Sequence, residues 1–514
     1  MSRWWTLVVV CLATFMLLLD VTIVNVALPS IERDLRAGFS DLQWVIDAYA
    51  LTLAAVLLTA GSIADLIGRR LVFLVGVGIF TGASLLCGLS TTPLLLNLSR
   101  GLQGVGGALM FACALALLAT AYQGRDRGTA FGIWGATTGA AVAVGPLVGG
   151  VLTEGIGWEA IFFVNIPIGL GVVALTLRTV QESRSPQGGR IDWPGLVTFS
   201  VALFLLIFAL IRGNDKGWGS GQITGMLVGA GVLLVAFLLV ERRSSHPMLE
   251  LSLFRKPAFV GASVAAFVLS ASMFAMFLYL TLYIQYQLSY SALESGLRFL
   301  PTTLLSFLAA PLAGKLAERF GIRWFVGVGL VLVGAGLLAM SGLTAADGWT
   351  ALLPGLVLTG IGVGMVNPPL ATAAVGVVEP RRAGMASGIN STFRQVGIST
   401  GIAAWGAIFQ HVVNSRAGEF ARQVGGAARM PAGRDGSFAD FISFGVYRKI
   451  GAQAAAPGRE AFLGGLDRIL VFAGVLALVG AVLCFVLSRP KDFVAHGAPA
   501  EAAPRGADPE VEPA

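Results

Sequence analysis

The sequence predicts an all-α protein that crosses a lipid bilayer fourteen times, and three observations predict it. Of 514 residues, 56% are hydrophobic and only 12% charged, against roughly 25% charged in an ordinary soluble domain. Apolar stretches of about 20 residues, long enough for a helix to span a hydrocarbon core about 30 Å thick, recur along nearly the whole chain. The basic residues gather in alternate loops, as membrane orientation dictates. The net charge of +7 thus belongs to topology, and no nucleic-acid partner is expected.

Taken in order, the spans fall near 4–29, 43–64, 71–90, 94–121, 128–152, 157–178, 194–212, 221–240, 257–287, 295–314, 322–342, 349–376, 384–411 and 463–487. The first carries Asp20 and lacks a small-residue cleavage site, so it is expected to be retained. With a cytoplasmic N-terminus, the inner segments before the acidic tail carry nineteen Lys/Arg and the short outer loops four, Arg33, Arg36, Arg212 and Lys216. Both termini are therefore expected in the cytoplasm and the protein in the cytoplasmic (inner) membrane of its cell. The long segment 412–462 is then external, and the tail 497–514, rich in Ala, Pro, Glu and Asp, is expected to be disordered. Cys11, Cys87, Cys113 and Cys484 all fall inside spans and read as packing residues, not disulfides or metal ligands.

An internal repeat divides the chain. "GSIADLIGRR" at 61–70 returns as "GKLAERFGIR" at 314–323, an offset of 253. Gly104 and Gly106 return as Gly360 and Gly362, and Gly128, Ala130, Gly132 and Gly145 as Gly384, Ala386, Gly388 and Gly401, an offset of 256. Two six-helix halves, 1–178 and 257–490, are thus related by a parallel repeat about the membrane normal. The spans at 194–240 sit between them without a partner.

Three ionisable residues stand out in the first half. A charge at a helix centre costs roughly 2.5–3.5 kcal/mol on insertion scales, so such residues face a bundle interior or a water cavity. Counted from their helix ends at about 1.5 Å per residue, Asp20, Asp47 and Arg100 all lie within about 6–14 Å of the outer surface, and one cluster is possible. The proton affinity of such a carboxylate responds to a nearby guanidinium and to burial, so a change of access would load or release a proton. The structural alternative is a static ion pair, or, for Asp47 alone, snorkelling to the interface. No histidine suits a mid-membrane relay: His246 and His496 fall in cytoplasmic segments and His411 at an outer helix end.

Span 5 reads "GIWGATTGAAVAVGPLVGGVL". Ala141, Gly145 and Gly149 are spaced by four, with Pro146 and Gly150 beside them. Small residues on one face permit close backbone contact and Pro bends the helix, which reads as a hinge or seal as well as packing. After span 2, Gly61, Asp65, Gly68, Arg69 and Arg70 form a block whose acid can pair with the arginines or with a neighbouring helix N-terminus. Its return in the second half favours a latch over topology signalling alone. No phosphate loop and no nucleophile, metal or acid–base constellation occurs, so neither an enzyme, a cofactor nor a metal is indicated.

"LDVTIVNVALP" in span 1, "QWVIDAYAL", "GSIADLIGRR", "SRGLQGVGGAL", "GPLVGG" and "FFVNIPIG" appear in order. Together these resemble the major facilitator superfamily, and within it the fourteen-helix drug:proton antiporters of the EmrB/QacA type, over spans 1 to 14. The resemblance implies the major facilitator fold and export of lipophilic or cationic small molecules by a protein working as a monomer and exchanging them for protons. It implies Asp20 and Asp47 as proton or cation sites and Arg100 as their coupling partner. It further implies Asp65 and Arg69 in a cytoplasmic gating latch and Gly145, Pro146, Gly149 and Gly150 as the antiporter hinge. The chain departs from the pattern at Ala141 (usually Gly), Leu66 (usually basic) and Glu159 (often basic). A symporter or uniporter of the same fold is the rival reading, and a non-transporting sensor or scaffold the third. For the substrate pocket, span 9 offers Met273, Phe277, Tyr283 and Gln285, soft apolar surface with polar handles, alongside Trp134 and the deeply placed Arg394 of span 13.

Overall fold

The structure is a computed structural model that describes residues 4–122, 124–183, 192–244, 249, 251–376, 383–424 and 438–488. Among these there is no strand. The first half consists of α1 (Trp4–Leu35), α2 (Phe39–Ile67), α3 (Arg69–Gly88), α4 (Pro93–Ala121), α5 (Gly124–Gly155), and a sixth span broken into α6 (Ala160–Phe163) and α7 (Asn165–Thr179). The break precedes Pro167, whose missing N–H is tolerated in the first turn of α7. Next come α8 (Trp193–Lys216) and α9 (Gly221–Arg243). The second half contains α10 (Pro257–Leu282), extended by a π-turn at Tyr283–Gln287, then α11 (Ala292–Phe320), α12 (Ile322–Ala339), α13 (Leu353–Gly376) and α14 (Ala383–Ser415). The segment expected as an external loop folds in part as α15 (Ala417–Gln423) and α16 (Phe438–Ser443), and the last span, α17 (Ala455–Leu487), begins eight residues before its expected start. The tail 497–514 lies outside the described residues.

Twelve of the described helices are long and apolar enough to cross a membrane. α2 and α5, 29 and 32 residues long, run beside them, so fourteen spans are compatible with the fold. Caps mark several starts where a short polar side chain takes up a free N–H: Thr92 accepts from Leu95, Ser220 from Ile223 and Ser291 from Glu294.

The repeat is visible as packing. A Cβ on Gly104 of α4 would overlap the Tyr49 carbonyl of α2, and one on Gly360 of α13 would meet the Thr302 carbonyl of α11. Two residues on, Gly106 abuts the backbone of α3 at Phe80 and Gly76, and Gly362 that of α12 at Gly329 and Val333. Lipid is as apolar as the side chains, so such close van der Waals contact is what holds transmembrane helices together.

The halves meet at the end of the bundle where α1 ends and α2 begins, the outer end on the expected topology. One buried core draws Leu19 to Ile31 of α1, Val45 of α2, Leu96 of α4 and Trp158 together with α10, α14 and α17. The inner parts of the first half instead form a core of their own, from Leu7 and Leu17 to Phe73, Phe80 and Leu118.

Candidate functional site

Five helices of the first half converge on Asp20. Arg100 of α4 donates from Nη1 to Asp20 Oδ2 at 2.5 Å, and the two side chains are 2% and 0% exposed. The other carboxylate oxygen, Oδ1, accepts from Gln103 Nε2 at 2.8 Å and from Asn165 Nδ2 of α7 at 3.0 Å. Ser84 Oγ of α3 accepts from both amides, at 2.8 and 3.3 Å. Arg100 is held further by Nε donating to the Val45 carbonyl of α2 at 2.8 Å and Nη1 to Gln103 Oε1 at 2.6 Å. The Tyr49 ring lies 4.4 Å from its Cζ, within cation–π range. A buried ion pair is tolerated when further hydrogen bonds satisfy its remaining lone pairs and protons, and the two amides and the Val45 carbonyl do that here, with the Ser84 hydroxyl holding the amides in turn.

Asp47 does not join this pair, contrary to the single cluster expected from depth. Val45 and Tyr49 face Arg100, and a residue midway between them on a helix points the other way. Asp47 is buried, and neither carboxylate oxygen is hydrogen-bonded to any of the described residues. It faces the second half, where Tyr279 of α10 lies within electrostatic reach of Asp47 and beside Gln43.

The outer seam is closed by contacts between the halves. Gln285 donates to the Val26 carbonyl at 2.9 Å, and Tyr286 Oη to Glu32 Oε2 at 2.8 Å and the Pro29 carbonyl at 3.1 Å. Glu154, at the end of α5, accepts from Ser291 Oγ at 2.7 Å and Leu293 N–H at 3.0 Å, so a first-half carboxylate caps α11. Along α5, Ala141 is fully buried and Gly145 and Gly149 abut Thr22 and Ile23 of α1. Gly150 abuts Leu293 of α11, and the Pro146 carbonyl lies against Gly296. The small residues of span 5 are therefore shared between two neighbours, one in each half.

At the inner end of α2, the Asp65 side chain lies outside the described residues. Gly61 has open space around its Cα, and Gly68 has φ +131°, a conformation that favours glycine. Arg69 donates to Thr120 Oγ1 at 3.1 Å and Arg70 to the Leu177 carbonyl at 2.8 Å. The acid that sequence reasoning missed here is Glu182: it accepts from the N–H groups of Arg70 at 3.0 Å and Leu71 at 3.2 Å, at the positive N-terminus of α3.

The pocket candidates disperse. Trp134 donates to Thr14 Oγ1 at 2.9 Å within the first half, Met273 is buried in the shared core, and half-buried Phe277 packs on Phe299 at 5.3 Å. Tyr283 belongs to the outer core, against Phe462 of α17, and Gln285 to the outer seam, so a π-turn replaces the pocket wall expected there. Arg394 of α14 donates to Asn367 Oδ1 of α13, a neutral partner. Sequence reasoning passed over Gln103, Asn165 and Ser84 because it searched for charge; "SRGLQG" and "FFVNIPIG" did contain the two amides.

The family model described as Major Facilitator Superfamily matches residues 10–402. The chain is 38% identical to "Multidrug resistance protein Stp" of Mycobacterium tuberculosis over 78% of this chain and 75% of that protein. It is 33% identical to the "Tetracenomycin C resistance and export protein" of Streptomyces glaucescens over 98% and 96%. Among solved structures, a bacterial homolog of the human lysosomal transporter Spinster, inward-facing and occupied, superposes with a TM-score of 0.64 at 19% identity, over 96% of this chain and 99% of that one. The matched model, near-full-length relatives and shared helical architecture together make this chain a member of the Major Facilitator Superfamily.

Proposed function

We propose that the protein is a proton-coupled exporter, moving lipophilic or cationic small molecules out of the cytoplasm in exchange for protons. A drug-efflux transporter of this superfamily is what relatives named for antibiotic resistance and export support. The observation that carries the coupling is the Asp20–Arg100 pair, a titratable group sunk where only a change of access can bring it a proton. Asp47, facing the second half without a hydrogen bond to any of the described residues, is the second site, and the seam between α5 and α11 is the hinge. The nineteen-to-four basic bias supports a cytoplasmic-membrane protein with both termini inside. The protein works as a monomer, each copy carrying its own complete site.

Asp20→Asn tests this. The amide keeps the carboxylate's shape and both Oδ1 acceptor contacts; it sets an N–H against Arg100 Nη1 and leaves that charge unpaired, so the variant should insert and bind substrate at a reduced unfolding temperature. In liposomes it should no longer drive uphill export of a lipophilic cation under an imposed proton gradient. Uphill export with unchanged proton stoichiometry would leave Asp20 as a static ion pair, and uptake with proton influx in the same direction would make the protein a symporter.

A further inference from the structure

The inserted hairpin has no counterpart in the repeat and packs on the α2 face of Trp44, Leu51 and Ala54, on which Asp47 also lies. α8 lies along the line where α2 of the first half meets α14 of the second. Its outer part is held by α2: Ser200 Oγ donates to the Ala55 carbonyl at 2.7 Å, and Leu203 and Ile207 pack on Leu51 and Ala54, with Val396 of α14 against the same cluster. Trp44 meets Phe208 at 5.4 Å and the Arg212 guanidinium at 5.7 Å. The inner part is held by the other half: Leu196 and Phe237 of the hairpin form one buried cluster with Leu253, Phe259, Ala386 and Ile389. One helix is thus fastened to both halves across the seam, while its far side, with Val197, Val201 and Phe204, faces outward.

The opposite seam, between α5 and α11, differs. The halves touch at its outer end, through Gly150, Gly296 and Glu154. Eleven residues further along α11, on the same helix face as Gly296, Phe307 is 37% exposed, while Leu308 and Leu312, turned about 100–140° further round the helix, belong to its outward face. Among the described residues nothing like α8 covers Phe307.

We infer that α8 is a strap that seals the α2–α14 seam against the bilayer, so that a substrate dissolved in lipid enters only between α5 and α11. The seal rests on geometry alone; the substrate rests on the export reading above. An apolar cation partitions into the membrane before it meets the protein, and a seam at which Phe307 stays exposed admits it, whereas one filled by Leu203 and Ile207 does not.

The test places single cysteines in the full chain after replacing its four native ones by alanine, in phosphatidylcholine–phosphatidylglycerol vesicles. With a bilayer-dissolved lipophilic maleimide, Phe307→Cys should react faster than Ala54→Cys by about tenfold or more, the protection that a local opening cost near 1.4 kcal/mol confers. Adding Ile207→Ala, which thins the strap without touching Asp20, should narrow that ratio. Modification of the folded Phe307→Cys protein should stop export of a lipid-partitioned cation. Equal rates at the two cysteines, or export surviving complete modification at position 307, would overturn the inference. A protein that exports no compound even unmodified refutes the export reading, while the ratio of labelling rates still decides the seal.

Discussion

The two halves pack alike and bury different chemistry. Position 100 of the first half corresponds to 356 in the second, and position 103 to 359. Where α4 carries Arg100 and Gln103, α13 carries Leu356 and Thr359, both buried, with Thr359 Oγ1 donating to the Gly355 carbonyl of its own helix at 2.8 Å. Each half also has a threonine bond between the same two helices, though about one turn out of register: Thr52 of α2 donates to the Gly101 carbonyl at 2.6 Å, and Thr302 of α11 to the Leu356 carbonyl at 2.9 Å. The glycine contacts are the scaffold and recur in both halves. The ion pair is an addition to one of them, so the packing scaffold and the buried charges are separable features of the same fold.

The largest expected effect comes from making the first half resemble the second. Arg100→Leu strips Asp20 of its counter-charge, and removing one partner of a buried pair costs about 3–5 kcal/mol. Thermal unfolding in detergent should show a strong loss, whereas Asp20→Asn/Arg100→Leu should recover most of it and remain unable to drive uphill export. A double variant as unstable as the single one would mean that the first half cannot do without its charges. A middling effect is expected from the scaffold. Gly104→Val and Gly360→Val both push a side chain into a facing backbone carbonyl, and overpacking costs typically about 1–3 kcal/mol. The two should lower the unfolding temperature alike; damage from only one would break the equivalence of the halves.

The smallest effect lies in the loops that precede α4 and α13. The first loop uses the Thr92 hydroxyl, accepting from Leu95 N–H at 3.2 Å, and the second the Asp347 carboxylate, accepting from the Thr344 N–H and hydroxyl, each at 2.7 Å. These bonds hold the Asp347 carboxyl below its ordinary pKa, with Arg459 assisting. A lowered folded-state pKa contributes order that is complete above the unfolded value and lost as pH falls through the lowered one. Amide exchange at Thr344, corrected for its intrinsic pH dependence, should therefore accelerate below the ordinary carboxylate range while that at Leu95 does not. Parallel behaviour at both amides would remove the distinction.

Much of this was legible in the sequence because lipid imposes length, hydropathy and charge bias on every span. The repeat could be read because glycine is the residue that lets backbones touch. Depth along the membrane normal placed Asp20 and Arg100 together correctly. It misplaced Asp47 because depth carries no azimuth; the phase of α2, with Val45 and Tyr49 on one side and Asp47 on the other, was the missing coordinate. Gln103 and Asn165 escaped because a neutral amide in a span signals nothing until its carboxylate partner is known. Tyr283 and Gln285 were assigned by composition to a pocket, and the π-turn, which no apolar pattern announces, turned one into the outer core and the other across the seam.

Glu182 fixes the exit of the first half against the start of α3, and the inner end of α8 is fixed to the second. Nine peptide bonds join Ser183 to Asp192. A chain of that length reaches at most roughly 30 Å when fully extended. The connection is therefore a tether of defined reach: the end of the first half and the start of α8 can part no farther than this short piece of backbone allows, and lengthening it by a few residues would relax that limit without altering a single side chain around Asp20.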